Sequence, residues 1–159
     1  MVALAICVLT GASAPPDQGR VRRVIDGDTI EHADGRLVRY IGIDTPEARR
    51  KVGDRWVTDP KPFAKAATAA NRRLVAGKVV RLEYDVQTHD RYGRLLAYVY
   101  VSTGPGGEVM VNAQLLREGY AQLLTIPPNV RHVESLRQIA EEARRQRRGL
   151  WGAKANEAN

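Results

Sequence analysis

Three short clusters gather the residue types that handle phosphate and hard metal ions: Asp26-Gly27-Asp28-Thr29, Arg39 to Glu47 (RYIGIDTPE) and Asp90 to Arg94 (DRYGR). Asp28 and Asp44 are hard oxygen donors, suited to Ca²⁺ or Mg²⁺ and unsuited to soft metals, and a backbone carbonyl beside them adds a donor of the same kind. So few carboxylates do not saturate Ca²⁺, which leaves positions for water and for a substrate phosphate. Arg39 and Arg94 can bind phosphate oxygens bidentately and stabilise charge that grows on them. Pro46 fixes its own φ and restricts Thr45, so it sets the angle of Glu47, a group able to take a proton from water. Together these residues describe phosphoryl chemistry. Each part also has a plainer reading: Asp-Thr-Pro favours a turn, and Asp28 with Arg39 reads as an ion pair closing one end of a barrel. For that pair alone the ion pair is the stronger reading. The three histidines, His32, His89 and His132, lack the motifs of a nucleophile–histidine site.

The elements that must position these residues follow from pattern. Val21 to Ile43 reads as strands, with Asp34-Gly35 as a two-residue hairpin turn between Ile30–Ala33 and Arg36–Val38. Counting outward from that turn puts Asp28 opposite Ile41, and Asp28 diagonal to Arg39 on one face. Arg39 lies in a strand that is apolar on both sides, where a cation needs a carboxylate or an anionic ligand. Gly27 between two aspartates suggests a bulge or a close backbone approach. Glu47 to Pro60 has no period and reads as a long loop. Lys61 to Ala76 is helical, with Phe63, Ala66, Ala67, Ala70 and Leu74 on one face and Gly77 as the stop. Val80 to Val86 alternates as a half-buried strand, and Leu95 to Val101 is another. Thr103 to Gly107 is a glycine-rich hairpin. Short helices follow over Asn112–Glu118 and Val133–Arg148, the last with Val133, Leu136, Ala140 and Ala143 inward and Arg137, Arg144, Arg145, Arg147 and Arg148 outward. The expected fold class is α+β, mainly β: a five-stranded OB-like barrel with three helices.

At 159 residues there is room for one core. The net charge of +7, carried mostly by arginine, favours polyanionic partners, nucleic acid or an anionic membrane surface. The single cysteine, Cys7, excludes a disulfide framework and a cysteine-rich zinc site. Met1 to Ala14 resembles the apolar core of an export signal ending at Ala12-Ser13-Ala14, although no basic residue precedes it and Pro15 follows it. Ala14 to Gly19 reads as a linker. The expected organisation is a leader and linker over 1–19, one domain over 20–152 and a tail over 153–159, in a secreted or periplasmic protein. A cytoplasmic protein with an apolar N-terminus is the alternative.

Ile25 to Thr29 (IDGDT), Arg39 to Glu47, Tyr92-Gly93-Arg94 followed by Leu96-Ala97-Tyr98, and Gly149-Leu150-Trp151 resemble the thermonuclease (micrococcal nuclease-like) family in order and approximate spacing. The resemblance covers roughly Val21 to Trp151. It implies an OB-like barrel and Ca²⁺-dependent hydrolysis of DNA and RNA on the 5′-oxygen side, leaving 3′-phosphates. By motif position, Asp28 and Asp44 resemble the carboxylate ligands of Ca²⁺, and Thr45 the residue giving a backbone carbonyl. Glu47 resembles the residue usually assigned as general base, and Arg39 and Arg94 the phosphate-binding arginines. Arg91 and Tyr92 resemble a pair that contacts a neighbouring phosphate. No obligate protein partner is evident in the sequence, and a monomer is expected.

This chain departs from the family in three places. The Asp28–Arg39 hairpin is shorter than in the best-known member. Leu124 to Pro127, with Thr125 at one position, replaces tyrosines, and such stacking is worth about 1–3 kcal/mol per base. The segment from Arg49 to Pro60 is unmatched, and its Arg49, Arg50, Lys51 and Arg55 read equally as phosphate contacts and as a solvated surface. Two rivals stand beside the enzyme: a non-catalytic OB-like binding module, which decayed family members represent, and a binder of anionic surfaces through the last helix. Retention of Asp28, Arg39, Asp44, Glu47 and Arg94 together weighs against the first, and the narrow apolar face of that helix against the second.

Overall fold

The computed structural model describes residues 17–47, 49–58 and 63–152. Strand β1 (Asp17–Val24) pairs antiparallel with β2 (Thr29–His32), which pairs with β3 (Leu37–Tyr40). A two-residue strand, β4 (Ile43–Asp44), follows, then a hairpin of two four-residue strands, β5 (Arg49–Val52) and β6 (Arg55–Thr58). Helix α1 (Ala64–Val75) leads to β7 (Val79–Glu83), β8 (Leu95–Gly104) and β9 (Gly107–Met110). Helix α2 (Val111–Arg117), the short β10 (Gln122–Leu123), helix α3 (Val133–Arg145) and a 3-10 turn over Gly149–Trp151 complete the domain.

The sheet order is β3-β2-β1-β7-β8-β9, and β3 also pairs in parallel with β8. That last pairing closes a ring of five strands, with β9 added outside it, so the barrel has no open edge between β3 and β8. Inward side chains fill it: Val21, Ile30, Val38, Tyr40, Val80, Leu82, Ala97, Val99 and Val101 are all buried. Helix α2 inserts Leu115 and Leu116 into one end, and Leu136 of α3 packs there with them. Asn112 carries the junction: its Nδ2 donates to the Ile41 carbonyl at 2.8 Å and its Oδ1 accepts from Val99 N at 2.9 Å.

The expected barrel with three helices is the observed one, but several elements differ. The Asp34-Gly35 turn is longer than two residues. His32 N donates to the Arg36 carbonyl at 2.9 Å and Gly35 N to the His32 carbonyl at 2.9 Å, leaving three residues in the loop. Gly35 occupies its left-handed position (φ 87°), and Asp34 Oδ1 accepts from Arg36 N at 3.0 Å. The register therefore shifts by one, so Thr29 faces Arg39, and the Asp28 carbonyl accepts from Tyr40 N. Glu47–Pro60 is not simply a loop, since β5 and β6 pair across Gly53-Asp54. The buried face of α1 is Ala64, Ala67, Ala70, Asn71 and Val75, one step round from the apolar stripe, because a polar residue, Asn71, takes an inward place. The strand β1 begins within the stretch read as a linker: Asp17, Gln18 and Gly19 pair with Leu82, Arg81 and Val80. The leader with Cys7 and the tail over 153–159 lie outside the described residues, as do the side chains of Arg49, Arg50 and Lys51. Among the described residues no helix is long and apolar enough to cross a membrane.

Arg36 pins the start of β1 to the hairpin. Its Nη1 meets Asp17 Oδ2 at 3.0 Å and its Nε meets Asp34 Oδ2 at 2.6 Å. The Arg36 hydrogen bond, with one from Tyr84, holds the Asp17 carboxyl below its ordinary value. At Asp34 slight desolvation is outweighed by bonds from Arg36 and His32, which bring it down to about 2. Carboxyls depressed in this way stabilise the fold above their unfolded pKa and lose that contribution as pH falls through the folded value. Arg36→Ala is thus expected to cost about 1 kcal/mol at pH 7, as exposed ion pairs do. The difference from the parent should shrink below pH 4 and vanish only once the pH falls below the folded value of Asp34, about 2, read by urea unfolding across pH. A difference constant with pH would mean that packing, not charge, is what Arg36 provides.

Candidate active site

The site forms where β3 leaves the barrel. Gly42 takes a left-handed turn (φ 81°) between β3 and β4, and β10 then locks β4 in place, with Gln122 opposite Asp44 and Leu123 opposite Ile43. Across from it, the Ile25–Thr29 turn is closed by bonds from Ile25 N and Asp26 N to the Thr29 carbonyl. Its floor is Asn71 of α1, which donates to the Asp26 carbonyl at 2.9 Å and accepts from the Tyr40 hydroxyl at 2.9 Å. Gly27 is required by close approach, since a Cβ there would stand 2.6 Å from Thr45 Oγ1 and 2.9 Å from Ala67 Cβ.

Asp28 is 5% exposed and tightly held. Its Oδ2 accepts from Thr45 N and Thr45 Oγ1, each at 2.8 Å, and lies 3.1 Å from Arg39 Nη1. Its Oδ1 accepts from the Thr29 hydroxyl at 3.2 Å. Burial pushes the Asp28 carboxyl up to about 6, against the pull of Arg39 and with a further upward push from Asp26. Arg39, 14% exposed at its side chain, spans the site. Its Nη1 donates to the carbonyls of Tyr40 (3.1 Å) and Ile43 (3.0 Å), and its Nη2 to Asp44 Oδ1 (2.9 Å). Among the described residues its Nε–H and second Nη2–H have no partner, so one edge of the guanidinium is open for a bidentate contact with a phosphate.

Arg39 lines a cavity of about 470 Å³ that Arg91, Tyr92 and Arg94 also line. Arg94 is aimed by Asp90: the arginine Nε donates to Asp90 Oδ2 at 2.7 Å, while Asp90 Oδ1 accepts from the backbone of Arg94 and Tyr92. Burial disfavours the Asp90 charge, but these bonds outweigh it and keep the carboxyl below its ordinary value. Both Nη groups of Arg94 remain unbonded among the described residues. Tyr92 is 68% exposed and lies under two guanidiniums, with Arg91 4.8 Å and Arg94 5.6 Å from its ring centre. The opposite wall is aliphatic, from Leu124 and Ile126. Asn129 ties the two walls together, its amide donating to the Gln87 carbonyl and accepting from Gln87 N, both at 2.8 Å.

The predicted residues thus fall in three groups. Asp28, Arg39, Asp44 and Thr45 are in direct contact. Arg91, Tyr92 and Arg94 share one cavity with Arg39. Glu47, beyond Pro46, is exposed to solvent at the same strand exit. Three residues escaped the sequence reading. Asn71 was hidden in an alanine stripe, and Asn129 in an irregular loop. Asp90 stood inside a cluster singled out at the start, its spacing of four from Arg94 the signal that could have assigned it.

No group of three or more metal-ligating side chains (His, Cys, Asp or Glu) clusters among the described residues. The donor set nonetheless fits a hard cation. Asp28 carries a buried carboxylate that burial makes costly to ionise, and its Oδ1 keeps a lone pair. Asp44 is 56% exposed at its side chain and its Oδ2 accepts nothing among the described residues. All the candidate donors, including the Thr45 carbonyl, are oxygen.

A closed five-stranded barrel with a carboxylate–arginine cluster at one mouth defines an OB-like phosphoryl-handling protein. The family model described as staphylococcal nuclease homologue matches residues 37–153. A thermonuclease of Staphylococcus hyicus is 38% identical over 135 residues, 83% of this chain and 74% of the relative. A thermonuclease of Staphylococcus intermedius is 37% identical over 134 residues, 82% of this chain and 74% of the relative. An uncharacterized endonuclease of Escherichia coli is 40% identical over 140 residues, 84% of this chain and 76% of the relative. The chain belongs to the staphylococcal nuclease family, and is a hydrolase of that type.

Asn71→Leu removes the donor to Asp26 and the acceptor for Tyr40 while keeping volume. The buried Tyr40 hydroxyl and the part-buried Asp26 carbonyl lose partners, so a loss of about 2–4 kcal/mol is expected in urea unfolding. A loss under about 1 kcal/mol would show that the Asp26 turn does not depend on this helix.

Proposed function

We propose that this chain is a Ca²⁺-dependent nuclease that hydrolyses phosphodiester bonds of DNA and RNA on the 5′-oxygen side and leaves 3′-phosphates. The observation that carries the reading is Arg39, which lines the cavity together with Arg94 while Asp28 and Asp44 anchor part of its guanidinium and its Nε–H has no partner among the described residues. In this reading Arg39 and Arg94 grip the oxygens of the scissile phosphate and stabilise the charge that builds on them. Glu47 takes a proton from the attacking water; the new P–O bond forms as the bond to the 5′-oxygen breaks, and the leaving oxygen takes a proton from solvent. Asp28, Asp44 and the Thr45 carbonyl would hold Ca²⁺, which when bound supplies positive charge at the phosphate and orients water. Arg91 and Tyr92 contact the neighbouring phosphate, and Leu124 with Ile126 offers the base an aliphatic surface in place of aromatic rings.

The supports are the family, the oxygen donor set and the two oriented arginines. The chain acts as a monomer in this reading, since one copy contains the whole site. Its apolar opening supports action outside the cytoplasm, secreted or periplasmic.

The purified protein should degrade single-stranded DNA and RNA when Ca²⁺ is added and stop when a chelator is present. Cutting that persists in excess chelator would remove the metal from the scheme. Glu47→Gln is expected to lower kcat by about 10²–10⁴ with little change in nucleotide Kd. Unchanged kcat would take Glu47 out of the mechanism. Strand binding without cleavage under any divalent metal would identify a binding module instead.

A further inference from the structure

A second cleft, of about 230 Å³, lies at the seam between β1 and the C-terminal end of α1, and three arginines line it: Arg22, Arg23 and Arg72. The first two are there because β1 is irregular. Val21 pairs with His32 and Arg23 with Glu31, so Arg22 is an extra residue in the strand. A regular strand would turn alternate residues inward; the bulge lets two consecutive arginines face solvent. Both reach Glu31, Arg22 through Nη1 at 3.0 Å and Arg23 through Nη2 at 2.7 Å, and each retains N–H groups beyond those contacts. Arg72 is exposed and makes no hydrogen bond or ion pair through its side chain among the described residues. Arg20 donates to the carbonyl of Gly77, which also lines the cleft, and among the described residues Glu31 is the one carboxylate paired with any of these four arginines. A surface ion pair is worth about 0–1 kcal/mol, which does not account for a bulge that gathers this much uncompensated charge in a concavity.

The cleft shares no lining residue with the active-site cavity but adjoins the site along the chain. Arg72 follows Asn71, whose side chain holds the Asp26 carbonyl, and β1 runs from Arg23 directly into the Asp26–Asp28 turn. Five residues span at most about 18 Å, so the two places lie within the footprint of about 4–16 nucleotides usual for an OB fold. We propose that the Arg22–Arg23–Arg72 cleft is a second anion site, which takes a backbone phosphate of the nucleic acid strand on the stretch outside the cleaved bond. This rests on the nuclease reading for its choice of ligand. Guanidiniums suit it because planar N–H pairs match phosphate oxygens, and because each phosphate neutralised releases counterions.

The test is strand binding by the full chain in chelator, which needs no cleavage. Labelled single-stranded DNA of about 20 nucleotides and of about 4 nucleotides is titrated by fluorescence anisotropy over a range of salt. Arg72→Gln keeps the Glu31 pairs and removes the unpaired cation. The ratio of long-strand to short-strand affinity should fall about three- to tenfold, and the slope of log K against log salt for the long strand should flatten by about 0.7. Arg72→Lys should restore the slope. A folded Arg72→Gln protein with an unchanged ratio and slope overturns the proposal, as does an equal loss for both lengths, which would mark a diffuse charge effect. Absence of cleavage by the parent protein with Ca²⁺ would defeat the nuclease reading alone, since the length and salt comparisons stand without turnover.

Discussion

The site depends on one buried cation. Arg39 stands on a barrel strand with its guanidinium mostly withdrawn from water, an arrangement that costs several kcal/mol unless acceptors surround it. The surrounding chain meets that demand with two carboxylates and two peptide carbonyls. To bring those acceptors together, β3 must turn sharply at Gly42, β4 must be held by β10, and the Asp26–Asp28 turn must be seated on α1. The geometry of the mouth is therefore a consequence of satisfying Arg39 on one side. The same cation keeps N–H groups without a partner among the described residues, and it lines the cavity.

Asp28 shows the complementary constraint. Its carboxylate accepts four contacts and is still driven up by burial, so the protein holds a negative charge where solvent cannot relieve it. Removing Arg39 would leave that charge without its nearest cation, and removing Asp28 would strand Arg39. Pairs of this kind add little net stability but penalise any arrangement in which either partner is displaced. Rigidity of the mouth comes from this penalty more than from apolar packing, most of which lies deeper, inside the ring of strands.

Much of this was legible in the sequence because the relevant signals were local. The strands that line the barrel alternate, and the acids and arginines sit in compact motifs. The meeting of Asp28 with Arg39 was expected from a hairpin count that proved one residue off. It occurs because Asp28 lies at the strand end and the arginine reaches across. Registers are fixed by turn geometry, and a left-handed Gly35 admits a third loop residue that composition does not reveal. Asn71 was missed for a different reason. A helix face is read from apolar spacing, and an asparagine that satisfies both a strand hydroxyl and a turn carbonyl is invisible to that criterion. Asn129 is similar, since its two bonds to Gln87 join loops that no periodicity describes.

The distribution of arginines distinguishes fixed guanidiniums from free ones. Arg39 and Arg94 are each anchored through part of the group, by Asp28 and Asp44 in one case and by Asp90 in the other, while each keeps N–H groups without a partner among the described residues. An arginine so held loses less rotamer entropy when it grips a phosphate, and the cost has been met during folding. Arg145 on α3, by contrast, is bonded within its own helix to Glu142, and Arg144 is stacked 4.3 Å from the Trp151 ring centre. Net charge draws a polyanion to any of these surfaces, but only partly anchored guanidiniums can impose an orientation on it. Orientation, and not attraction, separates a phosphoryl-handling mouth from a basic surface, and it comes here from acidic residues placed behind the arginines.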